Sequence, residues 1–280
     1  MPGSLTLGSL TLVATPIGNL GDMAPRAAET LAKADLVLCE DTRMTAKLLG
    51  LLGLKAPLKR CDAHREAALT DDVLARLEKG QQLALVCDAG TPLISDPGYP
   101  LVRAARQAGH RVTAAPGPAA PILALILSGL PSDRFFFGGF LPSKSQARHA
   151  ALAEVRQLRA TSLFFENPQR LTATLNDAAN VLGPDRTAAT ARELTKKFEE
   201  IQTGTIESLI KFYATSPVPK GELVLLFGPA PQQNEVWDLD ALLEEAMARQ
   251  AASAAVREIA TVTGLPKSQV YTRAMELKRT

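Results

Sequence analysis

The sequence predicts an α/β protein with two α/β domains and a small helical domain at its C-terminal end. Short apolar runs, such as LTLVA at 10–14 and DLVLCE at 35–40, alternate with helical patterns through the first half of the chain. A second series of such patterns follows a junction at 131–142, and a stretch rich in Pro, Gln and Asn at 229–237 precedes a helical tail. Alternation of this kind is typical of mainly parallel sheets covered by helices.

These breaks define three expected segments. We expect an N-terminal α/β domain at 1–130, a C-terminal α/β domain at 131–228, and a linker with a helical tail at 229–280. In the first domain, helical patterns separate the strand-like runs near 25–33, 44–52 and 66–79. Pro25 suits the first turn of its helix, where a missing N–H costs nothing. LALVC at 83–87 is a further strand, and the apolar stretch at 119–130 predicts a buried helix.

The second domain restarts with a polar helix near 145–159. Strand and helix patterns then alternate through TSLFFE, PQRLTATLNDAANVLG, RTAATARE, EIQTGTIESLIKFY and GELVLLFG. The spacing again favours a sheet with helices packed on it.

The tail has the spacing of a helix-turn-helix. Ala260, Gly264 and Val270 stand where this motif has a small residue, a turn glycine and a buried residue of the second helix. Lys267 and Arg273 would then contact nucleic acid phosphates if they share a face. The alternative is a plain packing or dimerising helical pair with a solvated basic face.

Composition excludes several classes of protein. The chain has 280 residues, 46% hydrophobic and 21% charged, with a net charge of +2, which is a globular balance and not a polycationic one. Its longest apolar stretch is shorter than the roughly 20 residues that cross a bilayer, so no membrane association is expected. No basic region precedes the first apolar run, which favours a cytoplasmic protein. The cysteines and histidines lack metal-ligand spacing, and no metal is expected.

Four loops follow strand-like runs at the positions where an α/β sheet binds its ligand. They are ATPIGNLGD at 14–22, CEDTRMT at 39–45, DAGTPLISDPG at 88–98 and APGPAAP at 115–121. The third loop has neither the Gly-Lys-Ser/Thr ending of a phosphate loop nor the G-x-G-x-x-G of a dinucleotide turn. The loops therefore indicate another kind of ligand, and Asp96 is expected only to begin the next helix.

Six motifs carry a resemblance to a known family: ATPIGNLGD, CEDTR, CDAGTPLISDPG, APGPAA, ENPQRL and ARELTKKFEE. In this order they resemble the motif series of the tetrapyrrole methylase superfamily, and within it they are most similar to the bacterial ribosomal RNA small subunit methyltransferase I group. The resemblance covers about residues 10–228, and the tail is similar to the accessory helical domain of many members. It implies methylation of the ribose 2′-oxygen of a decoding-site cytidine in small-subunit ribosomal RNA.

The resemblance also implies that S-adenosylmethionine lies in a cleft between the two α/β domains. Carried over position by position, it assigns donor contacts to Ile17, Gly18, Asp88, Gly90, Thr91, Pro92, Ile94, Pro116, Gly117, Ala119, Ala120, Phe165, Ala191 and Glu222. Such loops suit this donor, because its carboxylate, ammonium, sulfonium and adenine need backbone donors, a few acceptors and apolar walls.

Methyl transfer to a ribose hydroxyl needs alignment of the oxygen and removal of its proton. In CEDTR, Asp41 is a candidate proton acceptor and Arg43 a candidate phosphate ligand. The alternative is that Asp41 and Arg43 pair with each other as a structural clamp. In the second domain, Arg170, Lys196 and Lys197 are candidate RNA contacts, although mixed-charge clusters more often form salt-bridge networks.

The sequence thus predicts an rRNA methyltransferase, a homodimer, acting on small-subunit ribosomal RNA or on the assembled subunit. Two alternatives stay open at this point. One is methylation of a tetrapyrrole-like small molecule, and the other is a DNA-binding regulator whose α/β domains sense a ligand.

Overall fold

A computed structural model describes residues 8–61, 66–216, 221–231 and 238–278. The chain divides into two compact units between Ala230 and Pro231. The first unit contains two five-stranded sheets and the second is helical.

The first sheet is parallel throughout, with strand order β3-β2-β4-β1-β5. Its strands are β1 (Ser9–Val13), β2 (Leu36–Cys39), β3 (Leu58–Arg60), β4 (Gln82–Leu85) and β5 (Arg111–Ala115). The helices between and after them are α1 (Pro25–Lys33), α2 (Thr42–Leu51), α3 (Glu66–Glu78), α4 (Tyr99–Gln107) and α5 (Ala120–Leu127). The α/β fold predicted for this half is confirmed.

Strand residues of the first sheet alternate between two buried clusters. In β2, Leu36 and Leu38 belong to one cluster, whereas Val37 and Cys39 belong to the other. Successive side chains of a strand point to opposite faces, so a sheet covered on both faces needs a continuous apolar run. This is why LVLC carries no polar residue.

The second sheet is mixed, with strand order β6-β7-β10-β8-β9. Its strands are β6 (Phe135–Phe140), β7 (Thr161–Glu166), β8 (Thr187–Arg192), β9 (Glu200–Thr205) and β10 (Leu223–Phe227). Its helices are α6 (Ser145–Glu154), α7 (Leu171–Leu182) and α8 (Ile206–Thr215). Only β6 and β7 pair in parallel, because β10 runs antiparallel to β7 and β8, and β8 antiparallel to β9.

One strand lies where the sequence predicted a junction. Residues 131–142 were expected to join the domains, but Phe135–Phe140 forms the edge strand β6. Gly138 and Gly139 interrupt the alternation of side chains that marks a strand. The pairing register of β6 with β7 shifts between Phe137 and Phe140. The division at 130/131 stays a prediction, and residues 232–237 of the expected linker lie outside the described residues.

The described part of the helical unit contains three helices, whereas the sequence suggested one helix pair. They are α9 (Leu239–Arg249), α10 (Ala252–Thr263) and α11 (Lys267–Leu277). Ala260 and Val270 are buried in its core, and Gly264 ends α10 in the left-handed conformation. The helix-turn-helix spacing therefore corresponds to a real turn between packed helices.

The two predicted cations of this unit differ. Arg273 pairs with Asp240 at 2.6 Å and with Glu276 at 2.6 Å, whereas Lys267 is exposed at the start of α11. A role for either in RNA binding stays a prediction. Across the described ranges, no helix is both long and apolar enough to span a bilayer.

Candidate active site

Three of the four predicted loops are joined at the carboxyl edge of the first sheet. The backbone of Thr15 and that of Gly90 exchange hydrogen bonds of 2.8 and 3.0 Å. The Thr91 hydroxyl donates to the Pro118 carbonyl at 2.9 Å. Gly90 has φ +83°, and a Cβ there would lie 3.1 Å from Ile17 Cγ2. The first, third and fourth loops therefore form one surface, and Gly90 allows their close approach.

The CEDTR loop joins this surface through Asp88. The Asp41 backbone N–H donates to the Asp88 carboxylate at 3.3 Å. The Asp41 side chain caps α2 by accepting from the Arg43 N–H at 2.8 Å, and it also pairs with the Arg43 guanidinium at 2.8 Å. The side-chain hydrogen bond from Arg43 lowers the pKa of Asp41 to about 2. The structural clamp considered as the alternative is thus present, while the catalytic roles of Asp41 and Arg43 stay predictions.

A cavity of about 810 Å³ lies between these loops and the second sheet. Ligand sites of this kind commonly have volumes of roughly 300–1,000 Å³. Of the residues predicted to bind the donor, its lining includes Ile17, Asp88, Ile94, Ala120, Phe165, Ala191 and Glu222. Gly18, Gly90, Thr91, Pro92, Pro116, Gly117 and Ala119 are not among the lining residues.

Two of the predicted residues that do not line the cavity, Gly117 and Gly18, allow close packing around the first loop. A Cβ on Gly117 would lie 3.0 Å from the Ala14 Cβ, so this glycine allows the fourth loop to pack on the first. A Cβ on Gly18 would lie 2.4 Å from Lys196 Cγ. The aliphatic part of Lys196 therefore crosses from the second sheet to the first loop, and a side chain at position 18 would displace it.

Sequence reasoning missed Asp96 as a lining residue. The α4 helix begins at Tyr99, and Asp96 lies in the cavity wall together with Ile94 and Ser95. Leu93 and Ser95 have φ of 72° and 68°. Such values are uncommon outside glycine, cost of the order of 1–3 kcal/mol each, and cluster at functional sites. The sequence DPG at 96–98 is typical of a helix start, so Asp96 was expected to begin a helix and not to line a cavity.

The environment of Asp96 differs from that of Asp41. Burial is the largest cause of a raised pKa for Asp96, and the negative charge of Asp88 adds to it. The neighbouring Cys87 thiol donates to the Ala89 and Gly90 carbonyls at 3.3 and 3.4 Å, and its interaction with Asp96 lowers the carboxyl pKa against the larger effect of burial. Burial also raises the pKa of the thiol. Because burial raises its pKa, Asp96 holds a proton more readily than a fully solvated carboxylate does.

The second sheet supplies an apolar wall. Three buried residues line the cavity on this side: Ala191 of β8, Leu194 in the segment after β8, and Val224 of β10. Phe140 and the segment 166–169 also line it, and their positions were not predicted. Asn167 and Pro168 directly follow β7. An Asn-Pro pair after a strand is typical of a loop, and this signal could have identified the segment as a strand-end loop near the ligand.

The charged residues that line the cavity are acidic, although two of them, Glu166 and Glu222, are paired with Arg170 and Lys196, which are not lining residues. Asp88, Asp96, Glu166 and Glu222 line it, and among its lining residues in the described part of the chain there is no lysine or arginine. The arrangement suits a ligand that carries positive charge and an aromatic or apolar part. It is unsuited to a polyphosphate, which binds to cations and free helix N–H groups.

The predicted RNA-binding cations of the second domain are engaged in local pairs. Arg170 pairs with Glu166 at 2.6 Å, and Glu166 also accepts from the Thr174 hydroxyl at 2.7 Å. Lys196 pairs with Glu193 at 2.9 Å and with Glu222 at 3.3 Å.

Lys197 is exposed, and its ammonium lies 5.6 Å from the Phe198 ring centroid. Nothing in these contacts prevents a phosphate from binding Lys197. The RNA-binding roles of Arg170, Lys196 and Lys197 stay predictions.

Comparison with known proteins adds family information. Residues 9–210 match the family model of tetrapyrrole (corrin/porphyrin) methylases, and residues 235–278 match that of the RsmI C-terminal HTH domain. The chain is 48% identical over 273 residues to ribosomal RNA small subunit methyltransferase I of Mesorhizobium japonicum, covering 97% of this chain and 93% of the relative. It is 45% identical to the protein of the same name from Xylella fastidiosa, covering 95% and 98%.

A solved structure shows the same fold. Uroporphyrin-III-C-methyltransferase from Thermus thermophilus superposes with a TM-score of 0.55 at 21% identity, covering 79% of this chain and 94% of that one. At this identity the likeness concerns the fold alone.

Proposed function

The chain is a methyltransferase of the tetrapyrrole methylase family and belongs to its ribosomal RNA small subunit methyltransferase I group, and from this premise we propose its reaction. It transfers a methyl group from S-adenosylmethionine to the ribose 2′-oxygen of a cytidine in the decoding region of small-subunit ribosomal RNA. The observation that carries the proposal is the cavity with an acidic wall from Asp88 and Asp96 and an apolar wall from Ala191 and Val224.

These walls fit S-adenosylmethionine, which supplies a methyl group already activated by a positively charged sulfur. Asp88 and Glu222 offer acceptors for an ammonium and for ribose hydroxyls. Ala191 and Val224 offer an apolar surface for an adenine ring. The absence of lysine and arginine among the described lining residues avoids repulsion of the sulfonium.

Removal of the hydroxyl proton needs an acceptor inside the cavity. We propose Asp96 for this role, because it lines the cavity and its pKa is raised by burial. Asp41, the acceptor expected from CEDTR, is held by Arg43 and its pKa is lowered to about 2, so it is the weaker base. Asp41 instead orients Asp88 through its backbone N–H.

The substrate is small-subunit ribosomal RNA, either free or in the assembled subunit. We propose that the protein acts in the cytoplasm as a homodimer. Exposed apolar side chains on α5, those of Ile122, Ile126 and Leu127, support self-association. The HTH unit contributes further RNA contacts through Lys267 and Arg273, the latter after exchange of its acidic partners for phosphates.

The test supplies methyl-labelled S-adenosylmethionine with assembled small subunits, naked ribosomal RNA, duplex DNA and a tetrapyrrole precursor. We expect label on RNA, mapped by nuclease digestion and mass spectrometry to a cytidine ribose. Label on a base, or on the tetrapyrrole alone, would refute the proposed reaction. Binding to duplex DNA without any methyl transfer would instead support the regulator.

A further inference from the structure

We infer that Phe140 is the platform on which the nucleobase of the acceptor nucleotide stacks while its ribose enters the cavity. The inference rests on the proposed function and names the contact by which that site holds its substrate. Three observations carry it: the backbone that presents Phe140, the packing behind its ring, and the gradient of burial across the cavity.

The backbone of β6 is interrupted immediately before Phe140. Register with β7 shifts between Phe137 and Phe140, and Gly139 has φ +69°. A Cβ on Gly138 would lie 2.2 Å from Phe164 Cε1, so only glycine fits there. Such bulges change the direction of a strand side chain and often occur beside active sites. Here the bulge leaves Phe140 paired with Phe165 and lining the cavity.

The ring of Phe140 is supported by other aromatic rings. Its centroid lies 5.1 Å from that of Phe165, at an interplanar angle of 47°, and Phe165 in turn makes an edge contact with Phe137 at 5.1 Å. Even so, 63% of Phe140 is exposed. A large aromatic side chain fixed in position but left open to solvent has an unfilled contact surface.

The exposed ring of Phe140 differs in burial from the apolar wall formed by Ala191 and Val224. Ala191 is 1% exposed and Val224 is 3% exposed, so the apolar area suited to the donor adenine is deep in the cavity. Phe140 lies at the exposed side of the same cavity, where an acceptor arrives from solvent. Since RNA bases taken out of their stack are commonly bound on aromatic side chains, the chemistry of the acceptor nucleotide matches Phe140.

A polar group suited to the edge of a base lines the same cavity. Gln169 lines the cavity and is exposed. Its amide offers two donors and an acceptor, which can pair with the edge of a cytosine. Stacking on Phe140 with an amide contact from Gln169 would bind the base without any cation, in agreement with the acidic lining.

The test compares Phe140→Ala and Phe140→Tyr with the control Phe135→Ala. Phe135 lies on the same strand and is 47% exposed, but it is not a lining residue. For each variant we would measure the KM for small ribosomal subunits, the Kd for S-adenosylmethionine and the salt dependence of the KM. We expect Phe140→Ala to raise the subunit KM by about tenfold or more, the typical loss for one stacked base, with an unchanged donor Kd.

Phe140→Tyr should keep the KM within about threefold, because its ring also stacks, and Phe135→Ala should match the wild type. The salt dependence should not change, since no phosphate contact is lost. An unchanged subunit KM in Phe140→Ala, or a raised donor Kd, would overturn the inference. If the wild-type protein leaves ribosomal RNA unlabelled, the proposed function itself has failed, which is a separate outcome.

Discussion

The two sheets give the cavity unlike walls. The parallel first sheet contributes loops that follow its strands, and these carry Asp88 and Asp96. The mixed second sheet contributes strand residues themselves, such as Ala191 of β8 and Val224 of β10, which pair with each other across the sheet. Loops tolerate the strained backbone that aims a reactive side chain, whereas central strands provide rigid apolar area. We therefore expect replacement of Asp96 in the first wall to affect chemistry, and enlargement of Ala191 in the second wall to affect donor binding.

Replacement of the proposed proton acceptor should have the largest effect. We expect Asp96→Asn to lower kcat by about 10²- to 10⁴-fold, the usual contribution of a general base, with little change in the donor Kd. Because burial raises the pKa of Asp96, wild-type activity should fall as the pH decreases through that raised value, where the carboxyl becomes protonated. The residual activity of Asp96→Asn should not show this decrease at low pH, because the variant has no carboxyl at position 96 to protonate. Rate–pH profiles with saturating donor check both points, and full activity of the variant would exclude Asp96.

Filling the apolar wall should have the next largest effect. Ala191→Leu adds three carbons to a side chain that lines the cavity, so we expect the donor Kd to rise on the order of tenfold, or about 1.4 kcal/mol. The matched control is Ala188→Leu, since Ala188 is buried in the core on the other face of β8. Ala188→Leu should lose about 1–3 kcal/mol of unfolding free energy through overpacking of the core, whereas the leucine at position 191 extends into the cavity. Calorimetric titration with S-adenosylmethionine separates them, and equal donor affinities would contradict the wall assignment.

Removal of the Asp41 charge should have the smallest effect. Asparagine caps a helix about as well as aspartate, and the pair with the 89% exposed Arg43 side chain is of the surface type that contributes little. We expect Asp41→Asn to change kcat by less than about fivefold, a shift far smaller than that of a lost general base. Single-turnover methylation of small subunits measures it. A loss of a hundredfold or more with unchanged donor affinity would instead make Asp41 the proton acceptor.

Local patterns predicted most of the fold. Pro25 and the apolar spacing after it placed α1 at Pro25–Lys33, and the helix-turn-helix spacing placed Gly264 at the turn. The β6 strand was missed because Gly138 and Gly139 break the alternation that marks a strand, and its pairing with β7 is a long-range contact. Local propensity does not contain such a contact.

The candidate site was predictable to the level of loops but not of individual contacts. The strand-end rule placed the loop at 88–98 at the ligand-binding edge of the sheet, and Asp88 of this loop lines the cavity. It did not distinguish Asp96, whose position depends on the left-handed backbone at Leu93 and Ser95. Nor did it show that Lys196 pairs with Glu222, a residue 26 positions away along the chain. Ion pairs of this kind depend on which strands become neighbours, and the sequence alone does not state that order.

The position of β10 determines when the cavity can be completed during synthesis. This strand is the last of the described strands along the chain, yet it lies between β7 and β8 in the centre of its sheet. All five strands of the first sheet have been made by residue 115, so the acidic wall can assemble on a short nascent chain. The apolar wall requires Leu223 and Val224. A ribosome must therefore synthesise the chain through Val224 before the cavity can be complete.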